Sequence, residues 1–112
     1  MKQIVSVIKP ARLEAVQQAL QELEQFPGFT FWSGRGNGRG TGNRHAYAAT
    51  DWSPDHDCNI LMIYCSDAQA GQIADAIKRA AYTGKPADGI IAVSDVDTII
   101  RIRTGELGDY AV

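Results

Sequence analysis

Three stretches of this chain are apolar at consecutive positions rather than at alternate ones: IVSVI at 4–8, NILMIY at 59–64 and IIAV at 90–93. Successive side chains of a strand point to opposite faces. A sheet built from such runs therefore has two faces to bury. Between the runs the pattern changes. Pro10 suits the first position of a helix, and Leu13, Val16, Leu20 and Leu23 follow at helical spacing until Phe26-Pro27-Gly28 breaks it. FTFWS at 29–33 is rich in strand formers. After the run at 59–65, Ser66 with Gln69 three places on opens a second helix as a capping box. Its buried stripe is Ile73, Ala74, Ile77, Ala80 and Ala81, and Gly84 sits where a C-cap glycine belongs. With the first strand over 1–9 and the last over 90–93, the order is β-α-β-β-α-β.

That order predicts an α+β, ferredoxin-like βαββαβ fold in a single domain over 1–112. Both helices of this fold cover one face of the sheet. The other apolar face then needs a cover from outside the chain, so an oligomer is expected. The chain has 112 residues, of which 45% are hydrophobic and 21% charged, enough for one modest core. A net charge of -2 argues against a nucleic-acid binder. The longest apolar run is far short of a membrane span and the N-terminus has no signal-peptide pattern, so a cytoplasmic protein without membrane insertion is expected. Cys58 and Cys65 lack CxxC spacing and are expected as free thiols.

Three segments have a chemistry of their own. SGRGNGRGTGNRH at 33–45 places a glycine at every second position from Gly34 to Gly42, with Arg35, Arg39 and Arg44 among them. In an extended chain these glycines leave one side bare, so the backbone of Gly36, Asn37 and Gly38 can approach a ligand closely while Arg39 meets phosphates. The stretch at 43–57 shows no period and reads as a long loop. Structureless loops beyond about 12 to 15 residues are usually functional or disordered. The second segment, TGKPADG at 83–89, joins a helix end to a strand start, a turn whose N–H groups can cradle an anion. The third, RIRTGE at 101–106, continues an apolar-basic segment at 99–103. Read as extended chain, it points Arg101 and Arg103 the same way as an anion clamp, or pairs them with Glu106, Asp109 or Asp97.

Together these segments resemble the PII signal-transduction proteins, the nitrogen regulatory protein P-II family. The family's C-terminal signature reads close to TGK-x-GDG-K-I-x-V followed by RIRTGE. The IKP that ends the first strand and GNGRG against the family's GFGRQ agree with it. The resemblance spans the chain and implies a homotrimer of ferredoxin-like subunits. It also implies binding of ATP, ADP or AMP in clefts between subunits, with the part of magnesium left open. A T-loop, here about 37–58, would engage a protein partner such as a membrane transporter in nitrogen or transport regulation, with a C-terminal tail over 104–112. No catalytic role is implied. Carried over by position, Gly36, Asn37, Gly38 and Arg39 lie beside the phosphates at the T-loop base. Thr30 and Tyr64 fall at the adenine end. Ala87, Asp88 and Gly89 match the turn against phosphates and ribose, and Arg101 and Arg103 match the arginine clamp. Arg44, Tyr47 and Trp52 are the expected partner contacts.

The chain also departs from the family. A lysine after the DG pair is Ile90 here, and a weaker preference for the triphosphate follows. A glutamine that helps hold magnesium and 2-oxoglutarate is Gly40, the lysine at the far foot of the loop is Cys58, and the tyrosine modified in some relatives aligns near Trp52. Uridylylation there and 2-oxoglutarate sensing of the usual kind are therefore not expected. Two rival readings stand beside this one. His45, His56 and Cys58, with Asp51, Asp55 and Asp57, could make a metal-responsive trimer linked to ion transport. Arg39 and Asn37 could instead serve a small acylphosphatase-like enzyme.

Overall fold

The computed structural model describes residues 1–37 and 56–112. Strand β1 is Lys2–Ile8, followed by a 3-10 turn at Pro10–Arg12 and helix α1 at Leu13–Gln21. Strand β2 is Thr30–Gly36 and β3 is His56–Cys65; helix α2 is Asp67–Ala81 and β4 is Gly89–Asp95. The sheet order is β2-β3-β1-β4, and every neighbouring pair is antiparallel. This is the ferredoxin-like α+β fold: two β-α-β units interleave, with β1 and β3 at the centre.

The apolar runs divide between two faces. Ile4, Ile8, Leu61, Ile63 and Cys65 are buried against Val16 and Leu20 of α1 and Ala70, Ile73, Ile77 and Ala81 of α2. The alternate residues make a second surface. Val7 registers beside Ile60 and Ile90, Val5 beside Met62 and Ala92, and Trp32 beside Ile60. Val5, Val7, Ile60 and Met62 are only half-buried, Trp32 is 46% exposed and Ile90 67% exposed. One chain thus covers one face and leaves an apolar one open, as the unbroken runs require.

Two expected boundaries move. β2 runs three residues beyond Ser33, and β3 begins at His56, so His56, Asp57 and Cys58 belong to a strand and not to the foot of the long loop. The cause is pairing: Gly34 lies opposite Cys58, Arg35 opposite Asp57 and Gly36 opposite His56. Ladder hydrogen bonds override the low strand propensity of glycine. A Cβ at Gly34 would lie 2.6 Å from Ile60 Cδ1, so a larger residue there requires the Ile60 side chain to turn aside. Helix α2 starts as its capping residues predict. Gln69 Oε1 accepts from the Ser66 amide at 3.4 Å and from its hydroxyl at 3.2 Å. Gln69 Nε2 donates to the Gln25 carbonyl at 2.9 Å, which ties the end of the α1 segment to the start of α2.

The segment around Arg101 is the larger correction. It is not extended chain. The Arg101 amide donates to the Glu106 carbonyl at 2.9 Å, the Gly105 amide to the Arg101 carbonyl at 2.8 Å, and Ile100 bridges to Leu107. Arg101 and Arg103 therefore sit on a tight hairpin turn, where the two-residue alternation of a strand does not apply.

Candidate ligand cleft

β1 is central, so its last residues meet both neighbours at one end of the sheet: Ile8 registers beside Asn59 of β3 and beside Gly89 of β4. Around that end lies a cleft of about 480 Å³. Its floor is the end of β1 with Lys9 and Pro10. One wall is the end of β2 at Gly36 with Asn37 and the start of β3 at His56 and Cys58; the other is Ala87, Gly89 and Ile90. Chain turns this tight carry backbone constraints. Gly89 has φ +105, and a Cβ there would lie 1.7 Å from the Val7 carbonyl oxygen. Ala87, with φ 69, adopts the left-handed region without being glycine.

The turn from α2 to β4 does cradle an anion, and the anion is its own Asp88. The amides of Thr83 and Gly84 each donate to Asp88 Oδ2 at 2.9 Å, and the Thr83 hydroxyl donates to Oδ1. Lys9 Nζ stands 3.1 Å from Asp88 Oδ1 and donates to Thr83 Oγ1 at 3.1 Å, and the Lys85 amide donates to that oxygen at 3.2 Å. The Thr83 hydroxyl first, then the Thr83 amide, with Lys9 and the Gly84 amide, holds the Asp88 carboxyl well below the usual carboxylate range. Asp88 does not line the cleft. It lines a smaller hollow behind the turn, of about 240 Å³, beside Lys78 and Tyr82.

Comparison with known proteins decides the family. The family model "Nitrogen regulatory protein P-II" matches residues 1–106. The chain belongs to the P-II family. It is 40% identical over 114 residues to nitrogen regulatory protein P-II of Mesorhizobium japonicum and 38% over 113 residues to that of Rhizobium meliloti, with the whole of each chain covered. To nitrogen regulatory protein GlnK of Escherichia coli strain K12 it is 34% identical over 113 residues, again end to end. Membership of P-II places it among regulatory proteins rather than enzymes and sets aside the acylphosphatase reading of Asn37 and Arg39.

A single P-II chain gathers only part of the expected site. Gly36, Asn37, Ala87 and Gly89 meet in the cleft, and so do His56 and Cys58, which alternate along β3 and share a face. Thr30 and Tyr64 lie on the open face towards the other end of the sheet, where Thr30 registers beside Met62 and Tyr64 beside Gln3, whose amide donates to the Tyr64 hydroxyl at 3.1 Å. The hairpin with Arg101 and Arg103 lies at that far end as well: a Cβ at Gly108 would lie 4.0 Å from Met1 Sδ, and the Val96 amide donates to the Met1 carbonyl at 3.0 Å. Arg101 stands 3.6 Å from Glu106, one of the pairings the sequence offered, and its Nε donates to the Ala111 carbonyl at 3.4 Å. Gly38, Arg39, Gly40, Arg44, His45, Tyr47 and Trp52, with Asp51 and Asp55, lie outside the described residues. Among the described residues no three His, Cys, Asp or Glu side chains form a metal-holding group, and no helix is long and apolar enough to cross a membrane.

Sequence reasoning missed Lys9 and Thr83. Their signal was present in hindsight: a lysine fixed by the following Pro10 at the end of a central strand, and a threonine five residues before an aspartate across a glycine turn.

Proposed function

We propose that this P-II chain is a homotrimeric signalling protein that binds adenine nucleotide between neighbouring copies and passes its occupancy to a protein partner, such as a membrane transporter, through the β2–β3 loop. The observation that carries this reading is the division of the site. The cleft opens at the foot of that loop, while Thr30, Tyr64, Arg101 and Arg103 lie at the opposite end of the same sheet. A neighbouring copy packed on the open apolar face brings its own far end towards the cleft, so each site takes residues from two chains. Arg101 and Arg103 then meet the phosphates, Thr30 and Tyr64 the adenine, and the backbone at Gly36–Asn37 and Ala87–Gly89 lies alongside. Ile90 puts an apolar group where phosphate charge would favour a lysine, so the triphosphate gains little over the diphosphate.

Isothermal titration with ATP, ADP and AMP, with and without magnesium and 2-oxoglutarate, tests the reading. ADP binds, ATP is not strongly preferred, and Arg103→Ala weakens ADP roughly ten- to hundredfold, the usual cost of a lost charge-assisted contact. Unchanged ADP affinity in Arg103→Ala removes the arginine from the site. For the loop, deletion of residues 42–54 leaves nucleotide affinity largely intact and abolishes capture of the partner from membrane extracts; retention of the same partner refutes the loop's role.

A further inference from the structure

The carboxylate of Asp88 does not line the cleft and is held by groups of its own chain. Two backbone amides, one hydroxyl and one ammonium group converge on it, and it faces the smaller hollow behind the turn. The residues on either side of it, Ala87 and Gly89, do line the cleft, and both have positive φ. Lys9, which completes the group, belongs to the cleft floor. We infer that Asp88 is a positioning residue: it is the internal counter-anion that holds the 83–89 turn in its cleft-lining shape, and through Lys9 it fixes that turn to the end of β1. This rests on the proposed nucleotide reading of the cleft, and it changes what the turn does there. The amides of Thr83 and Gly84 are committed to Asp88 and do not receive the ligand's phosphates. The nucleotide meets the backbone of Ala87 and Gly89, whose placement Asp88 sets without touching the ligand.

A carboxylate that touched the nucleotide would act on ribose hydroxyls or on magnesium, so the test removes each in turn. In Asp88→Asn, amide hydrogen exchange at Thr83 and Gly84 in the ligand-free protein rises by about tenfold or more, and ADP affinity falls by about tenfold or more. The affinity loss is the same for 2′,3′-dideoxy-ADP as for ADP, and the same with and without magnesium. Thr83→Val, which alters a residue outside the cleft lining, weakens ADP in the same way, and Lys9→Met does so less. These two variants decide the matter if Asp88→Asn does not fold by circular dichroism. Unchanged exchange at Thr83 and Gly84 overturns the inference, as does a penalty that vanishes with the dideoxy nucleotide or without magnesium. Failure of the parent protein to bind ADP is a different result: it removes the nucleotide reading, while the exchange measurement still reports on the turn.

Discussion

Ala87 holds a left-handed backbone, φ 69, in one wall of the cleft. For a residue with a Cβ this conformation costs roughly 1–2 kcal/mol, and glycine adopts it freely at some loss of unfolded-chain entropy. Ala87→Gly is therefore expected to raise stability by up to about 1 kcal/mol in urea denaturation. A second expectation concerns pH. Asp88 titrates below its unfolded value, so its contribution is present above the ordinary carboxylate range and is lost as pH falls through it towards the folded value. The melting-temperature difference between parent and Asp88→Asn should be largest from about pH 5 upward and shrink below about pH 4. The glycines of TGKPADG were legible as a turn from the sequence, because their conformational freedom is intrinsic. The occupant of that turn was not, because one of the groups that select Asp88, Lys9, arrives from the end of β1, and the Thr83 amide is freed only by the end of α2.

The order of elements is legible because it rests on periodicity, which one sequence displays. Helix α2 is the clearest case, with its start at Ser66 and Gln69 and its stripe of Ile73 and Ile77. Gln69 also reaches Gln25, a link from α2 to the turn after α1 that no local pattern reveals. Gln69→Ala loses both the cap and the link, and is expected to cost about 1 kcal/mol or somewhat more in chemical denaturation, whereas Gln72→Ala on the same helix should be near neutral. Element ends were read less well, for a physical reason. The extension of β2 through Gly36 is decided by pairing with His56 and Cys58, and glycine gives no sign of it. The reverse holds at Arg101, where Ile100 and Ile102 have the pattern of strand residues and the Gly105 turn folds the segment into a hairpin.

At the scale of the molecule, the consecutive apolar runs told of two buried faces, and the chain supplies cover for one. Met62 sits near the middle of the other, beside Val5 and Thr30. A lysine there stays solvated in one chain and is forced into an apolar contact in an assembly. Met62→Lys is expected to keep its circular dichroism spectrum while light scattering falls from three chain masses to one. The same sheet has a consequence for how the protein folds. Lys9, the Gly36–His56 pair and Gly89 are distant along the chain and become neighbours only when both β3 and β4 have docked beside β1 at Ile8. Contacts of such long range form late, because loop closure is paid for before they return anything. The cleft is then absent from the transition state and present only in the native protein. A ligand held there acts as a brake on unfolding and leaves the speed of folding untouched.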